Sequence, residues 1–109
     1  MNRVAIDQGG FEYFRFLSAE PKMKYQDGQA TGMQDADDEG TPLFNIVCLA
    51  KQNGAIKPDT ISVKVPMKAA PAIEEFATIG FVNLTAFAYA SNNRAQLSFS
   101  ADKVGKTRE

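Results

Sequence analysis

Histidine and tryptophan are absent from this chain of 109 residues, and cysteine occurs only once. The lack of histidine excludes a histidine general base, a Ser-His-Asp triad and metal sites that use histidine. Cys48 alone cannot form an intrachain disulfide or a zinc site built from cysteines. Because it lies within a strand pattern and has no histidine to activate it, we expect a buried apolar side chain rather than a reactive thiol. We therefore expect a protein that is not an enzyme.

Long apolar runs are missing as well. No stretch approaches the roughly 20 residues of a transmembrane helix, and the first residues lack the apolar segment of a signal peptide. Neither a GxGxxG nor a GxxxxGK[ST] motif occurs, so we expect no phosphate-binding loop and no cofactor. The 44% hydrophobic and 23% charged residues are ordinary for a globular domain. These observations predict one cytoplasmic domain over residues 1–101, with no membrane partner.

Charge is unevenly distributed along the chain. Residues 27–40 hold five acidic residues and no basic one, while residues 102–109 hold three basic and two acidic residues. The remaining residues carry nine bases against six acids, a net charge of +3. That is well below the charge typical of a duplex-DNA-binding domain, but it is sufficient for a local cationic groove.

The clearest structural pattern covers residues 79–101. Apolar residues alternate with other side chains on both sides of the Asn-Asn pair at 92–93, and asparagine tolerates the positive φ angles of a tight turn. The pattern predicts a β-hairpin over the core. Its small apolar side chains are expected to face inward, which places Phe87 and Tyr89 on the outer face.

Three further strands are predicted before this hairpin. Residues 11–25 alternate around a break at Pro21, residues 41–52 are apolar on both faces, and residues 61–65 alternate until Pro66. In the first of these strands, Phe14 and Phe16 are predicted to face inward and Tyr13 and Arg15 outward. The predicted core comprises Ile46, Cys48, Val63, Phe76, Val82, Leu84, Ala86, Leu97 and Phe99.

The remaining segments are predicted to be one helix and two flexible regions. Residues 67–80 form the single helix candidate, because Pro71 suits a first helical turn and Glu74 and Glu75 suit the positive end of the helix dipole. Residues 27–40 are predicted to be a flexible acidic loop rather than a calcium site, since they lack the EF-hand spacing. Residues 102–109 are polar and unpatterned, and are predicted to be a disordered tail.

This order of elements predicts an all-β domain with one short helix. A five-stranded antiparallel Greek-key barrel with a helix between its third and fourth strands is the arrangement of the OB-fold. The alternative is an open five-stranded antiparallel sheet that closes only by dimerising.

Five short motifs carry a resemblance to known small proteins. They are VAID at 4–7, the bend at Pro21, GTPL at 40–43, VKVP at 63–66 and GFVNLTA at 80–86. In these features the chain resembles the replication, integration and excision activators of actinobacterial integrative plasmids. It also looks like the small single-stranded DNA-binding proteins of phages and plasmids. The resemblance implies a non-catalytic role in the replication or recombination of a mobile element.

The predicted function is the binding of single-stranded DNA. Bases would stack on exposed aromatic side chains while lysines and arginines follow the phosphates. The candidate residues are Tyr13, Arg15, Lys22, Lys24, Lys51, Lys64, Phe87, Tyr89 and Arg94. The alternative is a regulatory protein–protein module that binds a replication or excision protein through a sheet edge. Replication proteins and a second copy of the chain are therefore further candidate partners.

Overall fold

A computed structural model describes residues 3–26, 29–91 and 93–107, which form ten β-strands and one 3-10 turn at Gln8–Gly10. The protein is thus nearly all β, as predicted. This part of the chain contains no helix long and apolar enough to cross a membrane. The strands are β1 (Arg3–Ala5), β2 (Phe11–Pro21), β3 (Met23–Gln26), β4 (Gln29–Gln34), β5 (Leu43–Gln52), β6 (Asp59–Pro66), β7 (Thr78–Val82), β8 (Thr85–Ser91), β9 (Arg94–Ser100) and β10 (Lys103–Lys106).

Eight of the strands form one curled sheet, a half-barrel, in the order β1-β8-β9-β6-β5-β2-β7-β10. β3 and β4 pair with each other in a separate hairpin. Neighbouring strands are antiparallel except for β6 and β9, which run parallel. β7 and β8 are separated only by Asn83 and Leu84, yet β7 pairs with β2 and β8 pairs with β9. The sheet therefore curls, because two consecutive strands lie towards its opposite ends.

The concave face of the sheet encloses the hydrophobic core. Alternation in β5, in β6 and around the middle of β2 turns every second side chain inward, and Phe14 and Phe16 face the core as predicted. A register shift between Phe16 and Ser18 interrupts the alternation of β2. Cys48 is buried as predicted, and burial raises the pKa of its thiol to about 12. The buried cluster is Phe14, Phe16, Phe44, Ile46, Cys48, Ala50, Val63, Val65, Ile79, Phe81, Leu84 and Ala101.

The predicted inward orientation of Val82 is wrong. Its side chain is 49% exposed, whereas Phe81 and Leu84 on either side are buried. Asn83 adopts a left-handed conformation with φ 55°, which interrupts the period-2 alternation of the strand. The inward-facing residues are therefore odd-numbered in β7 and even-numbered in β8.

β1 and β10 flank this corner from the two sides of Asn83. The Ile6 N–H donates to the Leu84 carbonyl at 2.9 Å, and the Asp102 N–H donates to the Val82 carbonyl at 2.8 Å. The Asn83 side-chain amide donates to the Asp102 carboxylate at 2.8 Å. β1 pairs with β8 and β10 pairs with β7, both antiparallel. Placed one after the other, β1 and β10 thus act as one interrupted strand along the β7–β8 segment.

Beyond Ala86, the β8–β9 hairpin leaves the core. We call residues 88–97 the arm, and within it residues 88–90 and 93–97 are all exposed. Leu97, which was predicted in the core, is 61% exposed because β9 pairs with β6 only near its C-terminal end. The predicted tight turn is consistent with the φ of 63° at Asn93, while Asn92 lies outside the described residues.

The predicted helix over residues 67–80 is wrong. The Phe16 N–H donates to the Ala77 carbonyl at 2.9 Å, and the Phe76 N–H donates to the Phe16 carbonyl at 2.6 Å. These bonds extend the pairing of β7 with β2. The pairing replaces the predicted helix because an isolated two-turn helix is only marginally stable in water. Phe76, with φ 70°, turns outward and is 53% exposed, although it was predicted in the core.

Two segments predicted to lack secondary structure contain strands instead. Residues 29–34 form β4, and residues 103–106 form β10, which pairs with β7. The turn after β4 is closed by the Asp37 carboxylate, which accepts hydrogen bonds from the N–H groups of Glu39 and Thr41. Backbone pairing thus compensates for the lack of apolar side chains. Of the predicted flexible regions, residues 27–28 and 108–109 lie outside the described residues.

Candidate nucleic-acid interface

The convex face of the curled sheet, called the outer face below, carries most of the candidate site residues. On β8, Ala86 faces the core, so alternation turns Phe87 and Tyr89 outward. The same alternation turns Lys64 of β6 outward, because Val63 and Val65 are buried. In the strand order, β6 lies between β8 and β2, so Lys64 separates the two aromatic groups of the outer face.

The first aromatic group lies on β8 and β1. The rings of Phe87 and Tyr89 have centroids 5.9 Å apart, and the guanidinium carbon of Arg3 is 5.5 Å from the Phe87 centroid. Arg3 reaches this position because it is directly opposite Phe87 in the β1–β8 pairing. Tyr89 is 44% exposed, so its ring is accessible to a ligand. We call these three residues the aromatic ladder.

Arg3 was missed by the sequence reasoning. Val4 and Ile6 alternate with Arg3 and Ala5, and this parity could have placed Arg3 outward. What the sequence did not reveal is that this strand pairs with β8. The pairing brings a cation against an aromatic ring, a contact worth about 0.5–1 kcal/mol at an exposed site.

The second aromatic group lies on β2 and β5. The guanidinium carbon of Arg15 is 4.8 Å from the Tyr13 ring centroid, and its Nη1 donates to the Phe76 carbonyl at 3.1 Å. Lys51 is directly opposite Tyr13 across the two strands. Its ammonium forms an ion pair with Glu12, and that hydrogen bond lowers the pKa of the Glu12 carboxyl. Lys51 is therefore already neutralised in part.

Arg3 of the aromatic ladder also forms a cationic cluster with Lys22 and Lys64. Partial burial lowers the pKa of Lys64, and the positive charges of Lys22 and Arg3 lower it further. Asp35 lies among them, and its carboxylate accepts a hydrogen bond from the Lys22 ammonium at 2.9 Å. This bond lowers the pKa of Asp35. A cleft of about 400 Å³ beside the cluster is lined by Arg3, Asp35, Asp37, Asp38, Lys64, Ser100 and Asp102.

Two of the candidate residues lie at the margins of these groups. Arg94 is exposed at the far end of the arm, where the register places it on the same face as Tyr89. Lys24 is on β3, in the hairpin that is separate from the main sheet, and its positive charge helps to lower the pKa of Asp35. The other seven predicted residues lie on or beside one face, divided among three groups.

The outer face offers aromatic rings and cations but little else that is reactive. In the described part of the chain, no three acidic or cysteine side chains are grouped so as to hold a metal ion. Cys48 is buried and its thiol stays protonated at neutral pH. Comparison of the chain with protein families, with curated proteins and with solved structures finds no match.

Proposed function

We propose that this protein binds single-stranded DNA through its outer face. The observation that carries the proposal is the aromatic ladder, in which two neighbouring rings of β8 and the guanidinium of Arg3 on β1 lie together on the outer face. Base–aromatic stacking contributes about 1–3 kcal/mol per base and tolerates any sequence, because every base has a π-face. An exposed Tyr89 next to Phe87 offers such a platform.

We further propose that the half-barrel is of the OB type. β2, β5, β6, β9 and the β7–β8 segment follow one another around the curl, and β7 returns to β2. In chain order these are the first, second, third, fifth and fourth strands of a five-stranded Greek key. OB-folds bind oligonucleotides on their second and third strands and on the loops after the first and fourth strands. Here those regions hold Lys64, Lys22 and the tip of the arm, which supports the same site.

The charges of the outer face favour single strands over duplex. Two of the candidate cations, Lys22 and Lys51, are ion-paired with Asp35 and Glu12. Few phosphates can therefore be neutralised, whereas a duplex binder needs many such contacts. We expect little sequence preference, an affinity in the micromolar range or weaker, and a shallow salt dependence. A role in replication or recombination of a mobile element rests on the resemblance of the sequence motifs.

The test is fluorescence anisotropy with labelled oligothymidine of about 16 nucleotides, the upper end of one OB site. The same oligonucleotide annealed to its complement gives the duplex comparison, and each titration is run at two salt concentrations. Val82→Ala is the matched control for the variant Tyr89→Ala, since Val82 is exposed on β7 but is not part of any of the three groups. No binding of single strands at low salt and high micromolar protein would rule out this function.

The second candidate function is a regulatory protein–protein module. The observation that favours it is the unpaired edge of β9 along the arm, which could accept a strand from another protein. Binding through that edge would change little with salt, whereas DNA binding would weaken as salt rises.

A further inference from the structure

The sheet is open between β6 and β9 over most of their length. The two strands pair only through Val63–Phe99 and Lys64–Ser100. The Ala101 N–H donates to the Lys64 carbonyl at 3.0 Å, so the main-chain groups of these two residues point towards each other across the two strands. Main-chain groups point in the same direction at every second residue of a strand. The N–H and C=O groups of Ala95 and Leu97 on β9 and of Thr60 on β6 therefore point into the opening. Within the described residues, no strand lies opposite them.

An apolar cleft of about 390 Å³ lies directly beneath this opening. Its volume is within the range of sites that take a small ligand or a large side chain. Leu97 and Thr60 belong both to the edges of the opening and to the lining of the cleft. The main apolar lining residues are Phe11, Phe14, Ile61, Leu84, Leu97 and Phe99.

One carboxylate lies at the rim of the cleft. Asp59 is exposed and lines the cleft beside Gln52 and Thr60. It takes part in neither of the two ion pairs found in the described residues. An occupant with a positive charge near its apolar group would therefore be favoured over a neutral or acidic one.

We propose that this opening binds an extended segment of a partner protein, which adds a strand beside β9. Each property of the segment follows from one observation. The unpaired N–H and C=O groups require a partner with a peptide backbone, the apolar cleft takes one large apolar side chain, and Asp59 favours a neighbouring lysine or arginine. Addition of a strand to a sheet edge is a recurring mode of peptide recognition, with main-chain hydrogen bonds for affinity and side-chain pockets for specificity.

The two terminal strands of the sheet are protected against such pairing. β1 is only three residues long, and β10 carries Lys103 and Lys106 around Gly105. Short length and edge lysines both discourage the addition of a further strand. Along the arm, β8 beyond Phe87 and β9 both have an unpaired edge, but of these two edges that of β9 borders the apolar cleft, through Leu97. The edge of β9 is therefore the one that fits the partner.

This site is distinct from the proposed DNA interface. Leu97 lies on the inner side of β9, opposite Ala88, whereas Phe87 and Tyr89 lie on the outer face. The two sites can thus fail or succeed independently in experiments, and the present proposal does not rest on the DNA-binding function.

The test uses amide NMR spectra of the ¹⁵N-labelled protein titrated with the synthetic peptide KTVTFTVTK, which alternates apolar residues and carries terminal lysines. We expect the largest shifts at the amides of Ala95, Leu97 and Thr60. The matched control peptide is N-methylated on those alternate backbone nitrogens that would face β9, which removes the donors of that edge but keeps the side chains. It should bind at least about tenfold more weakly, a loss of roughly 1.4 kcal/mol.

Two variants locate the site. Leu97→Asp should weaken the peptide at least about tenfold, while Val82→Asp, at a similarly exposed valine on β7, should leave its affinity unchanged. Amide spectra of both variants establish that the sheet is intact. Asp59→Asn should weaken this peptide but not one whose lysines are replaced by glutamines.

Two results would overturn the proposal. One is the absence of shifts at these three amides with peptide at about 1 mM, a concentration that detects even weak binding. The other is equal affinity for the N-methylated peptide, which would mean that the cleft takes an apolar ligand without forming a strand.

Discussion

The two halves of the β8–β9 hairpin differ sharply although they belong to the same two strands. We call residues 84–87 and 98–100 the base. There, Leu84, Ala86 and Phe99 contribute to the core, and β9 also pairs with β6. In the arm, residues 88–90 and 93–97 are exposed on both faces. An isolated two-stranded hairpin is marginally stable in water, so the arm depends on the base for its conformation.

This contrast separates stability from recognition. The inward side chains of the base, such as Leu84 and Ala86, are almost completely buried, so substitutions there act mainly on the core. The arm contributes little to the core. It holds the exposed side chain of Tyr89 and the unpaired main-chain N–H and C=O groups of Leu97. Substitutions in the two halves should therefore affect different measurements.

The largest effect is expected from a substitution in the base. Leu84→Ala should lower the free energy of unfolding by about 2–5 kcal/mol, because it leaves a cavity at a buried site. Leu97→Ala in the arm should lower it by less than about 0.5 kcal/mol, since exposed side chains away from special features contribute little. Urea denaturation of both variants checks the prediction. Equal losses would mean that the arm packs against the core in solution.

The next effect concerns binding by the arm. Tyr89→Ala should weaken the binding of single-stranded DNA by about 1–3 kcal/mol if its ring stacks on a base. The melting temperature should not change, because Tyr89 is exposed and does not belong to the core. Anisotropy titrations and thermal melting are measured on the same preparation. A lowered melting temperature with unchanged affinity would assign the ring to the fold instead.

A third test asks whether Lys22 of the cationic cluster also contacts DNA. Asp35→Asn removes the carboxylate that pairs with Lys22 and leaves that lysine available for a phosphate. The logarithm of the affinity should then fall more steeply with the logarithm of salt concentration, by about 0.7 for one additional contact. Glu74→Gln removes one charge from an exposed loop and serves as the control. If both variants show the same slope, Lys22 does not contact the strand.

The smallest effect is the dependence of stability on pH through Asp35. The hydrogen bond from Lys22 lowers its pKa in the folded state, so its contribution is present above the unfolded pKa of about 3.9. That contribution is lost as pH falls through the lower, folded pKa. Because the pair is partly exposed, we expect no more than about 1 kcal/mol. Unfolding of the wild type and Asp35→Asn from pH 6 to pH 2 should show a difference only at the higher pH values.

Much of the fold was predictable from alternation alone. Along most of β5 and β6 and around the middle of β2 the pattern runs without a break, and the orientations of Phe14, Ile46 and Val63 are as expected. At Asn83 a single left-handed residue reverses the orientation, and no neighbouring residue indicated it. Alternation also cannot say whether a second layer covers a face, which is why Leu97 was placed in the core.

The candidate site was predictable to a smaller extent. The outward positions of Phe87 and Tyr89 followed from their parity on the strand once Ala86 faced the core. The ion pairs of Lys22 and Lys51 were not predictable, because they join residues 13 and 39 positions apart. Helix signals around Pro71 were outweighed by pairing with β2, which a local pattern does not contain.

The corner at Asn83 also determines how the protein should respond to mechanical force. β1 and β10 together form one interrupted strand against the β7–β8 segment, with Arg3 at one end and Lys106 at the other. A force that pulls these two residues apart acts along the strands, perpendicular to the hydrogen bonds between them. All bonds of each pair are then loaded together rather than one after another. We expect the protein to resist stretching between these two points far more than a force that pulls the two strands of the arm apart sideways, because the bonds of the arm are then loaded and broken one after another.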